Sequence, residues 1–191
     1  MKSALFAVAQ TYTRAIDSRW RWPPDRCLGD AFVLVLVGGD RSRDADPAAR
    51  AAVALRGLGA NLSEDSLYFG LNESADSAGV PRRFRLRFAA GETPPVGAFW
   101  SLSAVGASDL FFVANPIGRY AIGDRTKGLT LNPDGSLDLR IQHDEPDEGA
   151  ANWLPVPAGE FVLMLRAYEP KPEILLRTWS PPAVRRAERM A

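Results

Sequence analysis

The sequence predicts a mainly β protein: an antiparallel, jelly-roll-like sandwich with two N-terminal helices and a short C-terminal helix. Three observations lead there. Beyond residue 65, apolar and polar residues alternate with a period of two over several stretches. Turn signals such as Pro94-Pro95, Asn115-Pro116 and Asn132-Pro133-Asp134-Gly135 cut that half into many short pieces. Helical spacing, by contrast, is concentrated in the first sixty residues. Many short strands separated by frequent turns are the mark of antiparallel sandwiches and jelly rolls.

The elements follow in order. Leu5, Val8, Tyr12 and Ile16 fall on one stripe, which predicts an amphipathic helix over residues 3–19. Trp20-Arg21-Trp22-Pro23-Pro24 is a loop. Residues 32–37 are an unbroken apolar run with valine at every second position before Gly38-Gly39-Asp40, which favours a buried strand. Asp46 is an N-cap with Pro47 at the first helical position, and the alanine-rich residues 48–58 end at Gly59, so a second helix is expected there. Phe84, Leu86 and Phe88 alternate with arginines, and Leu137, Leu139 and Ile141 with Asp138, Arg140 and Gln142; both are half-buried strands. Residues 161–165 are apolar on both faces, which suggests a central strand. Further short strands are expected at 98–103, 110–113, 119–122 and 129–131, and a last short helix at 172–177. Residues 72–82 and 144–151 are polar loops. The organisation is a leader and first strand over 1–60 packed on a sandwich over 61–191, one structural domain in all. At this length such a chain buries roughly 70% of its unfolded surface, enough for a core.

Composition narrows the chemistry. Lys+Arg and Asp+Glu are equal at 23 each, so the chain has no overall electrostatic drive toward phosphate backbones, and nucleic acid is not an expected partner. Arg185, Arg186 and Arg189 form a local basic cluster read as a solvated tail. The single cysteine, Cys27, excludes an intrachain disulfide. No segment approaches the roughly 20 apolar residues of a membrane span. The apolar stretch after Lys2 is short for a signal peptide, which favours a cytoplasmic protein.

Five uncommon segments stand in fixed order: PPVGAFWSL from Pro94, NPIGRYAIGDR from Asn115, NPDGSLDLRIQ from Asn132, NWLPVP from Asn152 and LRAYEPKPE from Leu165. Together they resemble the family called domain of unknown function 1214, firmly over the last half of the chain and more loosely back through residues 49–68. In larger relatives that domain follows a second one, numbered 1254, for which this chain lacks room. The resemblance implies a β-rich, jelly-roll-like fold and carries over no catalytic residues.

The residues themselves limit what chemistry is available. One histidine, His143, and one cysteine are too few for a transition-metal site within the chain, and neither a metal nor a cofactor is expected. Asn132, Asp134 and Asp138 could supply oxygen ligands to calcium, but Asn-Pro-Asp-Gly is a good turn in its own right. There is no Gly-x-Ser-x-Gly elbow, phosphate loop or dinucleotide fingerprint. Four of the acidic residues that glycan cleavage could use, Asp144, Glu145, Asp147 and Glu148, lie in one polar loop, and Asp124 is the fifth.

The most suggestive group is polar and aromatic: Arg119, Tyr120, Asp124, Asn152, Trp153, Arg166 and Tyr168. Period two puts Val162, Met164, Arg166 and Tyr168 on one strand face, which turns from apolar to polar along its length. Converging at a sandwich edge, these seven would suit a small organic anion or a carbohydrate-like ligand. Opposed to that is a structural role, with Asp124 paired to Arg119, Arg125 or Arg166 and the rings filling core edges. Three functions are therefore open: a ligand-binding module, a carbohydrate-active hydrolase or lyase, and an interaction domain forming a homo-oligomer through the N-terminal helix.

Overall fold

The computed structural model describes residues 61, 64–77, 80–176 and 178–187. The expected leader helix, first strand and second helix all fall outside the described residues. Within them the protein is mainly β, with two four-stranded sheets and very little helix. The strands are β1 (Ser66–Ser74), β2 (Asp76–Ser77), β3 (Val80–Pro81), β4 (Arg83–Phe88), β5 (Val96–Gly106), β6 (Ala121–Gly123), β7 (Leu137–Gln142), β8 (Trp153–Pro155), β9 (Glu160–Pro170) and β10 (Val184–Ala187). A single-turn helix, α1 (Pro172–Leu175), starts with proline at its first position and carries Glu173 in its only turn.

Sheet 1 has the order β1-β9-β5-β6 and sheet 2 the order β10-β4-β7-β8; β2 and β3 form a small hairpin. Sheet 1 is antiparallel throughout. In sheet 2 the last pair, β7 with β8, is parallel. The period-two residues explain the pairing. Phe84, Leu86 and Phe88 lie opposite Ile141, Leu139 and Leu137, all six nearly fully buried, so β4 and β7 present one continuous apolar face. Phe161, Leu163, Leu165 and Ala167 do the same for β9, which sits between β1 and β5 as its apolar composition suggested.

The two apolar faces meet in one core that takes side chains from both sheets. Phe84 of β4 meets Phe161 of β9 edge-on at 5.9 Å, and Phe88 of β4 meets Trp100 of β5 at 5.4 Å. Such ring pairs add roughly 0.5–1.5 kcal/mol beyond the area they bury. At the tip of β6 the close approach of strands demands glycine: a Cβ on Gly123 would overlap the Trp100 carbonyl oxygen.

Several expected elements take another form, each for an identifiable reason. Residues 110–113 form no strand. Leu110 adopts a left-handed φ of 61°, the Asp109 carboxylate accepts the Phe111 N–H, and Phe111 returns its carbonyl to Gly106, which bends the chain into an exposed loop. Residues 129–131 form no strand because the Asn152 amide takes both backbone groups of Thr130. Likewise the Asn115 amide takes both backbone groups of Arg119, so β6 begins only at Ala121. Conversely, Trp153–Pro155, outside the expected strands, form β8. The 72–82 stretch holds the end of β1 and the β2–β3 hairpin rather than a loop. Arg185 and Arg186 are not a solvated tail but part of edge strand β10, paired with β4; Arg189 lies outside the described residues.

Candidate functional site

The seven candidate residues separate into two groups. Arg119, Asn152 and Trp153 are structural. The Arg119 guanidinium donates to the carbonyls of Ala150 at 2.6 Å, Ala151 at 3.0 Å and Trp153 at 2.8 Å, clamping the approach to β8. Asn152 is buried with its amide spent on Thr130. Trp153 is fully buried and its indole N–H donates to the Gln142 carbonyl at 2.9 Å. Tyr120 stands apart, exposed, with its ring tilted against Phe112 at 5.4 Å. The partners of these four among the described residues do not include Arg166 or Tyr168.

Arg166 and Tyr168 lie two residues apart on the outward face of β9, and the register shows what surrounds them. Tyr68 on β1 and Ser101 on β5 flank Arg166; Ser66 and Phe99 flank Tyr168. The Phe99 and Tyr168 rings stack at 4.3 Å with a 21° tilt, and Tyr68 meets Tyr168 edge-on at 6.3 Å. The Arg125 guanidinium sits 4.2 Å from the centre of the Phe99 ring, a cation–π contact. Arg166 reaches diagonally to donate to the buried hydroxyl of Ser103. Asn61 donates to Ser66 at 3.2 Å and Ser66 to the Tyr68 hydroxyl at 3.0 Å, which fixes that tyrosine from behind. Sequence reasoning missed Tyr68, Phe99, Ser103 and Arg125. Only Arg125, adjacent to Asp124, carried any signal; the others become neighbours through strand pairing.

The expected ion pairing of Asp124 is not the arrangement found. Its carboxylate accepts the Trp100 N–H at 3.2 Å, tying the β6 turn to β5. Among the described residues no carboxylate lies within ion-pair distance of Arg166 or Arg125. Burial, then the neighbouring Tyr68, push the Tyr168 phenol above its ordinary value, with Arg166 opposing; the hydroxyl is therefore a neutral donor at physiological pH. The backbone here is irregular. The β5–β9 register shifts between Val96 and Phe99, and Glu169 holds a left-handed φ of 51°, a conformation that costs a non-glycine residue on the order of 1 kcal/mol or more.

The other chemistries find little to work with. Among the described residues no group of three or more histidine, cysteine or acidic side chains could hold a metal ion. The Asn132–Asp138 turn closes on itself: Asn132 donates to Ser136 at 2.8 Å and Asp138 at 3.0 Å, and Asp134 accepts from Ser136. His143 is exposed just past β7 and its Nδ1 donates to the Val156 carbonyl at 2.9 Å, so the ring proton sits on that nitrogen. No described helix is long and apolar enough to cross a membrane.

Comparison with known proteins agrees with the sequence segments. The family profile described as "Protein of unknown function (DUF1214)" matches residues 66–172. Among curated proteins none matches. The crystal structure of the VPA0106 protein from Vibrio parahaemolyticus is similar with a TM-score of 0.66 at 21% identity, over 98% of this chain and 42% of that one. An uncharacterized protein from Burkholderia cenocepacia aligns at 16% identity and a TM-score of 0.41 over 99% of this chain and 41% of that one. This chain thus spans well under half the length of either solved protein.

Proposed function

The chain belongs to the DUF1214 family, and from that premise we propose that it is a binding module for a small organic or carbohydrate-like ligand, held on the outward face of sheet 1. The observation that carries this reading is Arg166: a half-buried guanidinium with a serine partner and no described carboxylate, set beside a ring stack. Buried or half-buried arginines are ordinarily paired with acids, so a ligand carboxylate or hydroxyl pair is the missing counterpart. The Phe99–Tyr168 stack offers a flat apolar wall, Tyr168 a neutral donor, and Arg125 a second cation. The register shift and the strained Glu169 next to this stack fit a site that aims its side chains at the expense of regular pairing. We read the two sheets as a jelly-roll-like sandwich and the site as part of its outer surface.

The test is a thermal-shift screen of the full chain against small organic acids and monosaccharides. A ligand that binds only the folded form raises the melting temperature by mass action. The reading predicts such a shift, and its loss in Arg166→Ala with the unliganded melting temperature retained. A hit that survives Arg166→Ala, or no hit in either class, would sink it.

A second reading, an interaction domain, rests on a different observation. Leu110, Phe111, Phe112, Val113, Ile117 and Tyr120 are all exposed on the 107–120 segment, with Phe111 at 73%. If it holds, Phe111→Asp with Phe112→Asp lowers the solution mass seen by light scattering; an unchanged mass argues for the ligand-binding reading alone. The hydrolase or lyase reading has less behind it, because Asp124 is committed to a backbone N–H and Asp147 and Glu148 to arginines.

A further inference from the structure

The outward face of sheet 2 carries an arrangement that regular sheets avoid. Arg185 of β10, Arg85 of β4 and Arg140 of β7 stand directly opposite one another across three adjacent strands. Strands in a sheet lie about 5 Å apart, and like charges directly opposite are destabilising. Arg83 and Arg87 extend the same face along β4. Within the three strands Asp138 is the carboxylate that answers these arginines, reaching Arg87 at 3.1 Å and Arg85 at 4.0 Å.

The remaining counter-charges come from outside the strands. Asp134, in the turn before β7, takes Arg87 at 2.5 Å. The loop after β7 then sends two acids back across the face: Asp147 to Arg83 at 3.7 Å and Glu148 to Arg140 at 3.0 Å. Both acids are well exposed, Asp147 at 88%, and exposed pairs of this kind are worth roughly 0–1 kcal/mol. The loop reads Asp144-Glu145-Pro146-Asp147-Glu148, a short acidic peptide lying over its own basic surface. Arg185 has no ion pair among the described residues, and Arg85 has only the long contact to Asp138.

We infer that this face is a docking surface for an acidic peptide segment of a partner protein, and that the 144–148 loop is its built-in occupant. An incoming run of aspartates or glutamates displaces Asp147 and Glu148 and takes the Arg185–Arg85–Arg140 row, which the loop leaves partly unanswered. The face is remote in register from Arg166 and Tyr168, which belong to sheet 1, so this surface and the proposed ligand site stand or fall separately.

The probe is a dye-labelled hexaglutamate peptide titrated into the full chain at low ionic strength. Saturable binding is expected, weakening steeply as salt is added. Arg85→Gln with Arg185→Gln should weaken it at least about fivefold, and Arg185→Gln alone, on an exposed edge strand, about twofold, in keeping with exposed ion pairs. Asp147→Asn with Glu148→Gln should tighten it by about twofold or more, because it removes the internal competitor. Asp144→Asn with Glu145→Gln removes the same charge from two acids of the loop that make no ion pair among the described residues; displacement predicts that it tightens binding less, whereas simple charge attraction predicts an equal gain. The inference is overturned by absent or non-saturable binding, or by affinity that Asp147→Asn with Glu148→Gln leaves unchanged. Tighter binding of a heparin oligosaccharide or a single-stranded oligonucleotide of matched charge would also overturn it. Arg166→Ala should leave peptide binding as it is, and a loss there would place the peptide on the wrong sheet.

Discussion

The two sheets contribute inner faces of the same kind and outer faces of opposite kinds. Inward, both are Phe, Leu, Ile and Trp, merged in one core. Outward, sheet 1 shows rings and serines around an arginine with no described acid, whereas sheet 2 shows arginines laced to carboxylates. An arginine held by acids already has its donors engaged. One held only by a serine beside stacked rings leaves hydrogen-bonding capacity for something else. The contrast teaches that arginine count says little about where a site lies; what the guanidinium already touches says more.

The largest expected effect breaks both faces together. Phe161→Ala removes a fully buried ring that sits against Phe84 across the sheets, and should cost about 3–5 kcal/mol by denaturant unfolding. A cost under about 1 kcal/mol would mean the sheets do not depend on one core.

Next comes the seam between the sheets. Glu73 is buried at the end of β1, with Arg186 of β10 and Arg82 nearby, and burial outweighs their attraction to push its carboxyl up to about 7. A raised carboxylate means the folded protein holds the proton more tightly than the unfolded chain. The stabilisation is therefore complete below the ordinary value of 4.5 and is lost as pH rises through about 7. Stability measured from pH 4.5 to 8 should fall, and Glu73→Gln should flatten that fall and exceed the parent at pH 8. A parent whose stability rises over that window contradicts the assignment.

Smaller effects sharpen the contrast of the outer faces. Asp138→Ala removes the carboxylate shared by Arg85, Arg87 and Asn132 and should cost about 1–3 kcal/mol, since Arg85 and the Asn132 amide lose their carboxylate partner while Arg87 keeps Asp134. Arg166→Ala should change stability by no more than about 0.5–1 kcal/mol while abolishing ligand-dependent shifts. If the magnitudes were reversed, Arg166 would be the structural arginine and Asp138 the idle group.

Much of the fold was legible because its strands obey period two. Phe84, Leu86 and Phe88, and Leu137, Leu139 and Ile141, announced β4 and β7, and the apolar run from Phe161 announced a central strand. Where reading failed, a side chain had replaced a backbone partner. The Asn115 and Asn152 amides hold Arg119 and Thr130 as a neighbouring strand would, so residues 119, 120 and 129–131 do not enter a sheet. Strand β8 was hidden by Pro155 and β10 by its arginines. The site was half legible. Arg166 and Tyr168 share a strand, and alternation alone put them on one face. Phe99, Tyr68 and Ser103 come from other strands, and only register joins them. Arg119 and Trp153 looked equally suited to a ligand, but three carbonyls and the Gln142 carbonyl satisfy them, and carbonyls leave no mark in a sequence.

The most direct test of two chemically separate outer faces is amide chemical-shift mapping of the isotope-labelled chain, titrated with the best small ligand from the screen. Perturbations centred on Tyr68, Phe99, Arg166 and Tyr168, with Arg85, Arg140 and Arg185 unmoved, are the predicted result. Shifts centred on β4, β7 and β10, or spread evenly over both sheets, would contradict it.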